Sequence, residues 1–273
     1  MSSTLSSSLS STLSSALKSV RRPSRSVRST RLLLGGAALA LVAVPFTLVL
    51  VLVEDKWEPL AEADQVARDG LHGFAVGHPA FVTLMRVISD SGSALAWQII
   101  LGLVAVWLLW RRLWRLALFV VATGAGSSLL NSVVKSAVNR PRPLVSHPLL
   151  HEPGASFPSG HAQAAITGYA VLLLVFLPVL SRAWRWIASA VAVVMVLAIG
   201  FSRVAMAAHF VSDVLAAYIL GAAWVAAMTA LFSAWRLHRG RPAVEPRKGL
   251  EPEQTRRLDP TARPAQGEAS QPE

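Results

Sequence analysis

The stretch from Ser202 to Asp213 sets Arg203, His209 and Asp213 beside two long apolar runs. An ionisable residue at the bilayer centre costs roughly 2.5–3.5 kcal/mol even on insertion scales, so its presence in such a setting points to function. If residues 209–213 are helical, His209 and Asp213 stand four apart on one face. Asp213 can then bond one ring nitrogen of His209, fix the tautomer, and leave the other nitrogen as nucleophile or base. A plainer reading is a surface His–Asp pair at a membrane interface. Two more clusters lie upstream, Lys135 to Pro143 (KSAVNRPRP) and Pro158-Ser159-Gly160-His161. The three together suit attack on a phosphate, which needs positioning and positive charge around the equatorial oxygens more than covalent help. Lys135, Arg142 and Arg203 supply three cations; the arginines can grip oxygens with a two-pronged fork, whereas Lys135 acts as a point charge. Ser159 and Gly160 precede an apolar run, where helix-start amides and the positive dipole end can meet an oxyanion, and Gly160 removes a Cβ from the approach. His161 is placed to protonate a leaving oxygen while His209 attacks from the other side.

Each cluster has its own plainer account. A basic run beside an apolar segment usually marks membrane topology, Pro-Ser-Gly before an apolar run is usually a turn and cap, and a single histidine is usually an interfacial one. His72, His78, His147 and His151 show no tight metal-ligand spacing and receive no role.

The elements that must position these residues are membrane spans. Of the 273 residues 53% are apolar and only 15% charged, against about 25% charged in soluble domains, and the mean hydropathy is +0.49. Six uncharged runs, Leu32–Val53, Ser91–Trp110, Leu116–Val134, Ala162–Ser181, Trp186–Ser202 and Val214–Trp235, each approach the length that crosses a roughly 30 Å hydrocarbon core. The first reads as an uncleaved signal anchor. Thr123 to Ser128 (TGAGSS) is a small-residue patch that lets a neighbouring helix approach closely. Between the runs, Arg111, Arg112 and Arg115 occupy one short link and Arg182 and Arg185 another. The positive-inside rule puts these links and both tails in the cytoplasm, which places 19 of the 26 Lys and Arg there. Trp110, Trp114, Trp184, Trp186 and Trp235 mark the same ends, as an interfacial belt does. The expected architecture is an all-α, multi-pass cell-membrane helix bundle of six transmembrane helices, with both termini cytoplasmic and the three clusters on the extracytoplasmic face.

The rest divides simply. Residues 1–31, Ser-rich and basic, read as a disordered cytoplasmic tail, 32–235 as the six-span domain, and 236–273 as a second disordered tail. In residues 54–90, Phe81, Leu84, Met85 and Ile88 at helical spacing suggest an amphipathic interfacial helix, there for packing. The formal net charge of +11 gathers in tails and links, so the partner it implies is a lipid bilayer and not nucleic acid. With no cysteine, disulfides and thiolate metal sites are excluded.

The order Lys-x6-Arg-Pro, Pro-Ser-Gly-His, Ser-Arg-x5-His-x3-Asp resembles the three-part signature of the type 2 phosphatidic acid phosphatase and vanadium haloperoxidase superfamily, across roughly residues 54–235. The resemblance implies a metal-independent membrane phosphatase without a cofactor. By it, His209 is the nucleophile that forms a phosphohistidine, Asp213 orients it, and His161 is the general acid. Lys135, Arg142, Ser159, Gly160 and Arg203 bind phosphate. Arg140-Pro141 is a second Arg-Pro pair; the x6 spacing selects Arg142 and leaves Arg140 as a rim contact. Expected substrates are membrane lipid phosphates or diphosphates such as undecaprenyl diphosphate, phosphatidic acid or phosphatidylglycerol phosphate. Two alternatives stand beside this. A vanadate-dependent haloperoxidase is permitted by the shared oxyanion site, although the six apolar runs argue against it. A non-catalytic lipid-phosphate binder or transporter is the other, against which stands the lack of paired broken helices.

Overall fold

The computed structural model describes residues 44–150 and 152–259. Its helices are α1 (Val44–Glu54), α2 (Glu58–Val76), α3 (Pro79–Ser91), α4 (Ala94–Trp110), α5 (Trp114–Val138), α6 (Gly160–Phe176), α7 (Arg182–Ala205), α8 (Val211–His238) and the short α9 (Thr255–Leu258). Among the described residues the only β pairing is an isolated Glu245–Gly249 bridge. Helix α6 is central and packs against α4, α5, α7 and α8.

By length and composition α5, α6 with its 3-10 extension to Val179, α7 and α8 can each cross a membrane. The pair α2–α3, bent by 119°, qualifies together as one broken span, giving four or five. The expectation of six is therefore met only in part. The 17 residues of α4 rise about 26 Å, short of a roughly 30 Å core. Most of the run Leu32–Val53 lies outside the described residues, as does the tail 1–31.

The single interfacial helix expected within 54–90 gives way to α2 and α3, broken at Gly77 and restarted by Pro79 in the first turn of α3. Met85 is buried, and Phe81 and Ile88 pack with it against Ala205 and Met206 at the end of α7. Only Leu84 of the four faces outward.

A buried polar seam joins α5 to α6. Ser127, Asn131 and Lys135 follow one another at intervals of four, hence on one face of α5. Asn131 Nδ2 donates to Gln163 Oε1 at 2.8 Å, Gln163 Nε2 donates to the Ser127 carbonyl at 2.9 Å, and Ser127 Oγ meets Thr167 Oγ1 at 2.9 Å. In an apolar medium such pairs fix helix register, each worth about 0.6–2 kcal/mol. The seam sets Lys135, one turn beyond Asn131, against the start of α6. The small-residue patch acts as expected: a Cβ on Gly126 would lie 2.3 Å from the Trp224 ring and one on Gly124 2.8 Å from Leu101 Cδ1.

The C-terminal tail expected to be disordered from 236 is ordered through residue 259. Leu250 and Leu258 are fully buried. Arg236 Nη1 donates to the Leu250 carbonyl at 2.6 Å, and Arg111 donates to the Arg257 and Asp259 carbonyls at 2.7 Å each. Prolines 242, 246 and 252 remove any helical periodicity from this strap; it is held by two isolated leucines and two guanidinium groups. Residues 260–273 lie outside the described residues.

Candidate active site

The site lies where the C-terminal end of α5, the start of α6, the end of α7 and the start of α8 meet, at the opposite end of α5 and α8 from the strap. The chain leaves α7 through Ala207, whose φ of 54° is left-handed. The amides of Ala208 and His209 both bond the Arg203 carbonyl, at 3.0 and 3.3 Å. This tight reversal brings Arg203 and His209 to one place.

The expected helical face for 209–213 is not what pairs His209 with Asp213. His209 precedes α8, and Asp213 is its third residue. Asp213 Oδ2 accepts the N-cap amide of Phe210 at 3.0 Å, and the same oxygen lies 3.5 Å from His209 Nδ1. The spacing of four is therefore that of a helix cap, not of a helix face. On the other edge of the ring, His209 Nε2 stands 3.3 Å from Arg142 Nη1. A carboxylate only accepts and a guanidinium only donates. The proton is thus assigned to Nδ1, and the Nε2 lone pair turns toward the cations. His209 is 1% exposed. Burial pushes its pKa down to about 4, with Arg203 and Arg142 adding to the fall and Asp213 opposing it.

The three predicted cations converge. Lys135 Nζ donates to the Ala155 carbonyl at 2.9 Å, with Arg142, Glu152, Asp213 and Arg203 as its charged neighbours. Arg142 Nε donates to the Gly154 carbonyl at 3.1 Å and its Nη1 to that of Ala208 at 3.0 Å. Arg203, 1% exposed, donates through Nη1 to Ser89 Oγ at 2.6 Å and through Nη2 to Glu152. Its Nε–H is buried without an acceptor among the described residues. An unsatisfied buried donor costs about 1–3 kcal/mol. His161 stands in the first turn of α6, with Arg203, Glu152, His209 and Lys135 around it. Ser159, fully buried, is the N-cap of α6; its Oγ accepts from the Ala162 amide at 3.5 Å and its own amide donates to the Asp213 carbonyl at 3.1 Å. Gly160 opens the helix, and a Cβ there would meet only Asn131 Oδ1, at an ordinary 3.5 Å. Space behind Gly160 is therefore not what requires a glycine.

Three residues enter that sequence reasoning left without a site role, Glu152, Asp64 and Ser89, and a fourth, Arg140, that it set at the rim. Glu152 lies 3.1 Å from Arg142 Nη1 and also pairs with Arg203, so a carboxylate sits among the cations. Burial works to raise its pKa, but Arg203, His161 and Arg142 outweigh it and hold the carboxyl below the ordinary range. Arg140 is no rim contact. It bonds Asp213 Oδ1 at 2.6 Å and Asp64 Oδ2 at 3.0 Å, and stacks 4.2 Å over the Phe210 ring. Asp64, 1% exposed, also accepts from the Ser212 amide at 2.9 Å. Ser89 holds Arg203, as above. Asp64 carried a faint signal: with Leu60, Leu71 and Ala75 it falls on the apolar side of α2.

A histidine thus stands between a carboxylate and a guanidinium, beside further cations, at the end of a bundle of helices long and apolar enough to cross a membrane. Residues 112–237 match the family model described as the PAP2 superfamily. Over that span, 126 of the 273 residues, the chain is similar to the PAP2 superfamily. It is 39% identical over 115 residues to phosphatidylglycerophosphatase B of Bacillus subtilis (strain 168), covering 41% of this chain and 55% of that protein. It is 31% identical over 147 residues to an undecaprenyl-diphosphatase of Sulfolobus acidocaldarius, covering 52% of this chain and 66% of that protein. The matches thus span between half and two thirds of each relative's length. The fold is that of the crystal structure of a transmembrane PAP2 type phosphatidylglycerolphosphate phosphatase from Bacillus subtilis: the TM-score is 0.63 at 24% identity, over 71% of this chain and 94% of that one.

Proposed function

We propose that this protein is an integral-membrane phosphatase that hydrolyses lipid phosphate or diphosphate esters through a phosphohistidine on His209. The observation that carries the reading is the His209 ring, with Asp213 Oδ2 3.5 Å from Nδ1 and Arg142 3.3 Å from Nε2. That arrangement suits an uncharged nucleophile aimed into a cationic cradle. Substrate phosphate takes the place of the Glu152 carboxylate between Arg142 and Arg203, with Lys135 and the α6 amides at Gly160 and His161 on its remaining oxygens. The Nε2 lone pair forms the N–P bond as the P–O bond to the leaving group breaks, and protonated His161 gives its proton to that oxygen. Nδ1–H then points the imidazolium charge at Asp213. Neutral His161 next takes a proton from water, which attacks phosphorus and returns the N–P electron pair to Nε2. The guanidinium and ammonium groups supply the charge stabilisation, so the proposed chemistry is metal-independent.

The proposed setting is a six-span domain with both termini cytoplasmic and the site on the extracytoplasmic face, supported by the distribution of Lys and Arg among the links. A lipid head group there meets the cations while its chains stay in the bilayer. Names of the relatives favour phosphatidylglycerol phosphate and undecaprenyl diphosphate among the candidate lipids. The test is phosphate release by purified protein from these two lipids and phosphatidic acid in mixed micelles, for wild type and His209→Ala, with vanadate as competitor. Release by wild type that vanadate blocks and the variant lacks is expected. A wild type inert on all three, or a His209→Ala variant of undiminished rate, refutes the reading.

A further inference from the structure

Behind the nucleophile, two carboxylates share one guanidinium. Arg140 reaches Asp213 with Nη1 and Asp64 with Nη2. Asp213 is fully buried and Asp64 1% exposed. Asp64 is also tied to Ser212, accepting from its amide through Oδ1 and from its hydroxyl through Oδ2. Asp64 lies on α2, far in sequence from all three motifs, yet a single residue, Arg140, links it to the carboxylate that faces His209.

The arithmetic of charge gives this arrangement a purpose. If Arg140 belonged to Asp213 alone, the pair would be neutral, and little negative charge would remain to meet the imidazolium that forms as His209 is phosphorylated. With Asp64 drawing on the second arm, two carboxylates stand against one cation, and the group keeps a net negative charge toward Nδ1. Arg140 also fixes Asp213 Oδ1, which leaves Oδ2 for Phe210 and His209. We propose that Asp64 and Arg140 are positioning residues for the reaction: the Asp64–Arg140–Asp213 triad holds Asp213 in place and keeps it negative toward His209, although neither Asp64 nor Arg140 touches substrate.

This inference rests on the phosphatase reading for its rate measurements, so a second readout, the Kd of inorganic vanadate followed by 51V NMR, is made without any lipid. Asp64→Asn keeps the shape and removes the charge. The expected result is a kcat lowered about 10- to 100-fold, the scale on which groups that orient a reactive side chain act, with KM within twofold and a weaker vanadate Kd. Arg140→Lys keeps the charge but cannot span both carboxylates, and is expected to lower kcat likewise. Ser212→Ala removes a hydroxyl that also accepts from Arg140 Nη1 at 2.8 Å, but leaves both carboxylates and their charge on Arg140; it is expected to lower the thermal midpoint with kcat within threefold. The proposal is overturned if Asp64→Asn or Arg140→Lys leaves kcat and vanadate Kd within twofold of wild type. It is equally overturned if Ser212→Ala costs as much kcat as Asp64→Asn, since losing the Asp64 charge would then do no more than losing one neutral hydrogen-bond partner of Asp64 and Arg140. Where Asp64→Asn does not fold, Arg140→Lys decides. A wild type that binds vanadate but cleaves no lipid refutes the phosphatase reading alone, and the vanadate series still decides this one; a wild type that does neither overturns both.

Discussion

Replacing Arg203 by lysine keeps a positive charge at the site and removes its fork. The guanidinium spans two partners, Ser89 Oγ through Nη1 and Glu152 through Nη2, and holds a third donor, Nε–H, with no acceptor among the described residues. An ammonium on a flexible stem presents its donors from one point, so it can keep Ser89 or reach a phosphate in the place of Glu152, but not hold the geometry that does both. The loss is therefore about one charge-assisted hydrogen bond in a buried setting, about 1.5–3 kcal/mol. At about 1.4 kcal/mol per decade this is a 10- to 150-fold fall in kcat/KM. Vanadate, which copies the five-coordinate geometry of transfer, should lose as much in Ki, while inorganic phosphate loses less. Ser89→Ala removes only the support and should cost about fivefold, near 1 kcal/mol. The assay is phosphate release from lipid in micelles, with vanadate and phosphate as inhibitors, on protein that elutes as a single species. An Arg203→Lys enzyme within threefold of wild type in kcat/KM and vanadate Ki would refute the forked-cradle reasoning.

Three further outcomes are expected. Because burial holds the His209 pKa near 4, the proposed nucleophile is neutral above that pH; once the substrate's own ionisation is divided out, the acid limb of kcat/KM should fall below pH 5, and a His209 limb at 6–7 would contradict this. Leu258→Ala in the strap, at a fully buried position, should loosen it by about 2–3 kcal/mol; trypsin cleavage after Lys248 then rises roughly 30- to 150-fold while kcat is unchanged, because the site is at the other end of the bundle. Gly168→Ala would put a Cβ 2.0 Å from the Trp97 ring and force α4 from α6, costing about 1–3 kcal/mol; an unchanged thermal midpoint in detergent would show that the two helices do not pack this closely.

What was legible in the sequence was what a short stretch of chain determines. Lys135 and Arg142 lie on either side of a helix end at Asn139, whose φ of 46° turns the chain, so six intervening residues suffice to bring two cations together. Ser159 before Gly160 is a cap, and caps are local. The His209–Asp213 pairing was legible too, for a partly wrong reason: a helix face and an N-cap both place residues four apart within reach. Asp64, Ser89 and Glu152 escaped because no spacing ties them to the motifs, and a carboxylate in an acidic link reads as solvated. The strap escaped because two isolated leucines among prolines have no period, and only the helix ends they cover give them meaning.

Those missed residues change the electrostatics of the site. From the motifs alone, three cations face a phosphate and Asp213 together. In the folded chain Asp213 shares Arg140 with Asp64 and belongs to the group behind His209, while Glu152 stands among Lys135, Arg142 and Arg203. On the proposed reading Glu152 gives up its two ion pairs to the phosphate and stays beside the cradle; three cations against one carboxylate then leave two positive charges, close to the roughly −1.5 to −2 of a phosphate monoester at pH 7. A diester, with a single negative charge, would leave the cradle under-neutralised and would lack the third oxygen that Lys135 and the α6 amides are placed to meet. On the proposed reading, selectivity for a terminal phosphate over an internal diester comes from the cations, and Glu152 tempers it: with Glu152→Gln the surplus rises to three, the second negative charge of phosphatidic acid gains more, and discrimination against a diester lipid, as a competing ligand for the site, should widen.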